Sequence, residues 1–170
     1  MEKYFGGFST GHHRFFLPLL LSKIMTDDFR KIKLCYYIDE ESPVQHSGLV
    51  IEYVEDDNRT TILEFYFRPE GVVETRSHTQ LRASFIAYIN VNDIEVLKYV
   101  IITSETIYGP CFVCWDWTKI AFHRLFDVFF KDDVFSRLGA ECRLEIEINK
   151  HKKLIQDNLS LGAFNILHQH

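Results

Sequence analysis

The segment His46-Ser47-Gly48-Leu49-Val50-Ile51-Glu52-Tyr53-Val54-Glu55-Asp56-Asp57-Asn58-Arg59-Thr60-Thr61-Ile62-Leu63-Glu64-Phe65-Tyr66-Phe67 decides the fold class. Residues 46–54 and 60–67 are rich in Val, Ile, Tyr and Phe, whose branched or aromatic side chains suit a pleated, half-buried surface. Between them Glu55, Asp56, Asp57 and Asn58 supply turn chemistry, so the segment reads as a β-hairpin. In its second arm Leu63, Phe65 and Phe67 share one face, and Ile62, Glu64 and Tyr66 share the other, because side chains alternate along a strand. With the apolar face buried, Glu64 points with the polar set.

Outward from the hairpin, residues 31–38 form a further strand, followed by a loop over 39–43. Residues 72–76 and 81–89 complete an antiparallel sheet. From residue 92 the period changes. Asn92 and Asp93 can cap a helix that carries Ile94, Leu97, Val100 and Ile101 on one face. Tyr108, Gly109 and Pro110 end it. Residues 114–130 then carry Trp117, Ile120, Ala121, Leu125, Val128 and Phe129, an amphipathic helix. Asp132 and Asp133 can cap another. Residues 144–155 fit two periods: Leu144, Ile146 and Ile148 alternate like a strand, whereas Leu144, Ile148 and Ile155 suit a helix, the reading we favour. Residues 159–167 are apolar enough to dock on the rest.

At the N-terminus, Gly6, Gly7 and Gly11 imply a loose lead-in, residues 12–24 have helical character, and Thr26, Asp27 and Asp28 offer turn chemistry. The expected fold class is α+β, an antiparallel sheet packed against helices. One domain over 1–170 is expected, with its core in 12–130 and a C-terminal helical elaboration over 131–170.

Composition narrows the function. The 170 residues are 46% hydrophobic and 15% aromatic, enough apolar material for a core without metals or crosslinks. The net charge is −5, and Lys and Arg are interleaved with Asp and Glu. No basic stripe is present for tracking phosphates, which disfavours a nucleic-acid partner. The apolar run from Phe15 to Leu21 is interrupted by Pro18, too short for a membrane span and without the features of a secretory signal. Four cysteines (Cys35, Cys111, Cys114, Cys142) do not amount to a disulfide framework, so a cytoplasmic location is expected.

Two features stand apart. His46 opens a strand, and Cys114 opens a helix in Tyr108-Gly109-Pro110-Cys111-Phe112-Val113-Cys114-Trp115-Asp116-Trp117. A thiol is nucleophilic as its thiolate, which a helix N-terminus favours through unpaired N–H groups and the positive end of the dipole. The same N–H groups can stabilise an oxyanion once a carbonyl is attacked. A histidine on a neighbouring strand can serve as general base and then as acid.

The order His-on-strand then Cys-on-helix, 68 positions apart, resembles the circularly permuted papain-like cysteine hydrolases. The nearest likeness is to the PPPDE family of isopeptidases. It lies in His46-Ser47-Gly48-Leu49-Val50-Ile51, and in Tyr108 ahead of Cys114 with Trp117 three positions beyond. Lecithin retinol acyltransferase-like, NlpC-type and viral H-box/NC proteins share the layout. The resemblance covers residues 31–130 and implies a permuted papain-like architecture, with Cys114 as nucleophile and His46 as base. Glu64 is the candidate third group orienting the histidine. The substrate would be an isopeptide, peptide or thioester within a protein or acyl partner, with no cofactor and no metal. One departure is Val113, where those families carry Asn. It favours the alternative of a non-catalytic protein-interaction domain that keeps the fold without activity.

Other arrangements fit less well. Cys111 and Cys114 form a CxxC, but Gly109-Pro110 precedes the pair rather than lying within it, against redox chemistry. Cys142, His123 and His151 lack the spacing of a zinc site. Trp115 and Trp117 read as packing anchors, and residues 143–153 as a solvated mixed-charge face.

Overall fold

The structure, a computed structural model, describes residues 29–39, 47–76, 83–104 and 114–168; the side chains of Cys114, Ser160 and residues 162–168 are not included. Five strands are present: β1 (Arg30–Ile38), β2 (Ser47–Val54), β3 (Thr60–Arg68), β4 (Gly71–Arg76) and β5 (Ala83–Val91). They form one antiparallel sheet in the order β4-β3-β2-β1-β5. Three helices follow: α1 (Ile94–Ile102), α2 (Cys114–Phe129) and α3 (Val134–His168). The α+β class with an antiparallel sheet is thus as the periodicities require.

Turn chemistry sets the strand registers. In the β2–β3 hairpin the amide of Asn58 donates to the Glu55 carbonyl, and that of Glu55 to the Arg59 carbonyl. Asn58 takes the left-handed conformation at φ 64°, which Asn tolerates better than most residues. The result aligns Val54 with Thr60 and Leu49 with Phe65. Between β3 and β4 the chain reverses through Pro69 and Glu70, and Gly71 receives it at φ 127°.

The sheet has two unlike faces. Ile32, Leu34 and Tyr36 of β1, Leu49, Ile51 and Tyr53 of β2, and Leu63 and Phe65 of β3 are buried in the main core. The helices pack on this face: α2 against β2 and β3, α3 chiefly against β5, and α1 against α2. On the opposite face, register aligns Cys35, Val50, Glu64 and Thr75 in one row across the sheet. Cys35, Val50 and Glu64 are buried there too, so this face is not the wholly polar one that alternation alone suggests.

Each helix buries the seam its spacing allows. Asp93 caps α1 by accepting from the Glu95 amide, and Leu97, Val100 and Ile101 are buried. In α2 the seam runs through Trp117, Ala121 and Leu125 as expected. Phe122 and Phe126 complete it, while Val128 is exposed and Ile120 half-buried. Asp133 precedes α3, its carboxylate accepting from the Ser136 amide; hydrogen bonding from the Ser136 side chain, and then from its amide, holds the Asp133 pKa below the usual carboxylate value.

The C-terminal region differs most from expectation. The strand-like and helix-like readings of residues 144–155 resolve into one helix of 35 residues, continuous from Val134 to His168. Residues 143–153 are not a solvated face. Leu144, Ile148 and His151 are fully buried, at intervals of four, four and three from Ala140 along the side of α3 that meets the core, and Glu147 beside them is nearly so. Arg143 reaches from α3 to the Ile86 carbonyl of β5 and stacks its guanidinium over Phe85, tying the helix to the sheet edge. The helical expectation for residues 12–24 lies outside the described residues.

Candidate active site

Cys114 is the first residue of α2. The turn it opens is held by two tryptophans. Trp117 is fully buried, and its indole stacks on Phe67 at 6.1 Å between centroids, with planes 11° apart. Its Nε1–H donates to the Ser104 carbonyl at 2.6 Å, joining the start of α2 to the end of α1. Arg124, two turns further on, donates to Thr103 Oγ1 and secures the same junction. Trp115 points elsewhere, edge-on to the imidazole of His151 at 5.3 Å. Both residues are anchors, as their helical positions imply.

These contacts fix which end of the sheet the start of α2 covers. Ile38 pairs with Ser47, the first residue of β2. Continuing the β2–β3 register two residues beyond Leu49 and Phe65 brings Ser47 level with Phe67, the ring on which Trp117 stacks. The N-terminal turn of α2 and the first residue of β2 therefore lie at the same end of the sheet. Ser47 shares the parity of Leu49 and Ile51 and so faces the helices. Its Oγ is buried and has no hydrogen-bond partner among the described residues. Gly48 behind it is required by packing: a Cβ there would sit 2.3 Å from the Phe65 carbonyl oxygen.

His46, immediately before Ser47, lies outside the described residues, as does Cys111. Glu64 is described and is only 7% exposed. Its neighbours across the strands are Val50 and Thr75, and its side alternates away from Leu63 and Phe65, hence away from α2. The arrangement therefore brings the starts of α2 and β2 together but turns Glu64 to the other face of the sheet. There its charge is one of those that, after burial itself and Asp39, raise the pKa of Tyr37.

One group near this site escaped the sequence reading. The His151 ring is fully buried, with Nδ1 2.8 Å from the Tyr36 hydroxyl, and Tyr36 in turn stacks on Phe122 at 6.3 Å. A buried imidazole beside Trp115, one residue from Cys114, is a polar centre on the inner side of α3. The available signal was its spacing, three residues after Ile148 and four before Ile155, which puts it on the buried stripe of α3.

The free cysteines divide by environment. Cys35 is buried on the second face, and loss of solvation, only partly offset by Lys33, pushes its thiol up to about 11. At pH 8 its thiolate fraction is therefore about one in a thousand. Iodoacetamide mapping should find Cys35 nearly unmodified when exposed Cys142 is fully labelled; equal rates would contradict this burial. The sign for stability follows: the folded state holds the Cys35 proton more tightly, so stability falls as pH rises from 9.0 through about 11. Burial raises Tyr37 and Tyr53 in the same direction and reinforces that alkaline loss.

Elsewhere, a shallow groove of about 320 Å³ lined by Lys31, Lys33, Glu52, Tyr53, Val54 and Tyr88 lies towards the opposite end of β2 from Ser47. Among the described residues no three His, Cys, Asp or Glu side chains converge as metal ligands, and no helix is long and apolar enough to cross a membrane. No protein-family model, curated protein or solved structure matches this chain.

Proposed function

We propose that this chain is a thiol hydrolase of the permuted papain-like class, with Cys114 as nucleophile and His46 as general base and acid. The observation that carries this reading is the juxtaposition at one end of the sheet. The helix that Cys114 opens is anchored through Trp117 on Phe67, which lies beyond the Leu49–Phe65 pair at the end of the sheet where β2 starts at Ser47, the residue after His46. A helix of 16 residues places the positive end of its dipole and the N–H groups of its first turn at that end, which favour a thiolate and then an oxyanion.

In the proposed step the Cys114 thiolate attacks a thioester, peptide or isopeptide carbonyl. The tetrahedral intermediate collapses with expulsion of a thiol or amine, which takes its proton from His46. Water, deprotonated by His46, then hydrolyses the acyl-enzyme and frees the thiolate. The dyad suffices for this sequence. Glu64, on the far side of the sheet, is left out of it.

The test is hydrolysis of an acyl thioester followed by release of free thiol, in the wild type, Cys114→Ala and His46→Ala. Removing either group lowers the rate at least about a hundredfold, the usual contribution of a positioned acid–base group. Rates equal to wild type in both variants would refute the assignment. A second reading, a non-catalytic interaction domain, draws support from the exposed apolar side of α3 and from Val113.

A further inference from the structure

The first residue of β2 carries a hydroxyl into an apolar setting. Ser47 is 3% exposed, pairs with Ile38 of β1, and shares the inward parity of Leu49 and Ile51. Its Oγ has no hydrogen-bond partner among the described residues. Other buried hydroxyls are engaged: Ser104 donates to the Val100 carbonyl at 2.8 Å, and Thr61 to Glu55 Oε1 at 3.0 Å. A buried polar group left unpaired costs free energy, a cost that a role in binding or catalysis explains. The hydroxyl is also held in place. At Gly48 the strands approach so closely that a Cβ would lie 2.3 Å from the Phe65 carbonyl oxygen, which fixes the start of β2 against β3.

Ser47 points to the face of the sheet that carries α2, at the end where α2 begins. Trp117 stacks on Phe67 beyond the Leu49–Phe65 pair, at the end where β2 starts. Cys114 precedes Trp117 by three residues, about one helical turn, so the first-turn N–H groups of α2 emerge there. The N–H groups of a helix start and a hydroxyl beside them are all donors, and the ligand that satisfies them together is an anionic oxygen. Given the hydrolase reading, on which this depends, we infer that Ser47 is a catalytic residue whose hydroxyl donates a hydrogen bond to the oxyanion alongside the α2 N–H groups. As the Cys114 thiolate bonds to the carbonyl carbon, the C=O π pair moves onto oxygen, and Ser47 donates to that oxygen without losing its proton. The pair returns when the thiol or amine leaves with a proton from His46. A serine hydroxyl turns about one bond, so it gains its partner as the charge develops. A hydrogen bond made only at that stage raises kcat and leaves KM nearly unchanged.

Steady-state hydrolysis of an acyl thioester by the full chain tests it, in the wild type, Ser47→Ala and Cys114→Ala. Ser47→Ala should lower kcat about a hundredfold, the usual loss for one oxyanion donor, with KM nearly unchanged. Iodoacetamide reacts at a saturated carbon and develops no oxyanion, so Ser47→Ala should alkylate Cys114 at the wild-type rate. An aldehyde that adds reversibly to Cys114 does develop one, and its inhibition constant should rise at least about tenfold. The midpoint of thermal unfolding should hold or rise, because alanine removes a buried hydroxyl that has no partner. With Cys114→Ala inactive, a kcat lowered less than about tenfold in Ser47→Ala would overturn this inference and leave the hydrolase reading standing. Alkylation of Cys114 slowed as much as hydrolysis, or an unfolding midpoint that falls with the rate, would do the same, since each marks a structural hydroxyl. Hydrolysis that survives Cys114→Ala would overturn both.

Discussion

Trp117→Ala lowers the midpoint of thermal unfolding by about 10 °C. Truncating a buried tryptophan costs about 3–5 kcal/mol, and for a domain of this length each kcal/mol moves the midpoint by roughly 2–4 °C. Trp117 is the residue for which this cost should be largest. It is fully buried, it stacks on Phe67, and it satisfies the Ser104 carbonyl, which alanine would leave without its indole donor. Trp117→Phe separates the contributions, since it keeps a ring on Phe67 and removes the N–H; about 1–3 kcal/mol should remain lost, from the orphaned carbonyl and the smaller ring. Circular dichroism melts of the three proteins check the ordering. Equal midpoints for Trp117→Ala and wild type would mean that α2 is not anchored as described.

Gly48→Ala should be nearly as damaging, for a different reason. The added methyl carbon would lie 2.3 Å from the Phe65 carbonyl oxygen and 3.3 Å from Tyr66 Cβ. The closest obstacle is backbone in a paired strand, which cannot rotate aside as a side chain can. The β2–β3 ladder must separate locally, at a cost of about 3 kcal/mol. Gly71→Ala is the informative comparison. There a Cβ meets nothing within 4 Å, and only the backbone angle of 127° penalises it, by about 1–2 kcal/mol. Urea titrations should therefore rank Gly48→Ala below Gly71→Ala, both with unchanged slope. The reverse order would contradict the close approach of β3 to Gly48. Because Gly48 follows Ser47, the same crowding should disturb the strand end beside His46.

Much of this architecture can be read from particular residues. The hairpin was legible because Asp56, Asp57 and Asn58 interrupt two β-prone runs, and α1 because Asp93 precedes a clean 94-97-101 spacing. The long helix α3 was legible only in fragments. Its apolar residues lie on two opposite sides, so Leu144, Ile146 and Ile148 mimic the alternation of a strand although one of the three faces outward and two inward. His151 was hidden among Lys150, Lys152 and Lys153, whose charges suggest solvent while helical geometry turns the residue between them inward. The parity of Glu64 was correctly placed on the face opposite Leu63 and Phe65, but its burial depends on packing across the sheet that parity does not encode. For the candidate site, Cys114 at a helix start followed from Gly109 and Pro110 breaking the preceding pattern. The pairing of that helix start with the start of β2 required the Trp117–Phe67 contact, which links residues 50 positions apart.

The central claim is that His46 holds Cys114 as a reactive thiolate. Its most direct test is the rate of Cys114 alkylation by iodoacetamide as a function of pH, located by peptide mass spectrometry, in wild type and in His46→Ala. The account predicts that wild-type Cys114 labels rapidly at neutral pH, with a midpoint well below the ordinary thiol range of about 8.5, and that His46→Ala slows neutral-pH labelling at least tenfold. Cys114 labelling no faster than Cys142 in wild type, or profiles that coincide with and without His46, would contradict it.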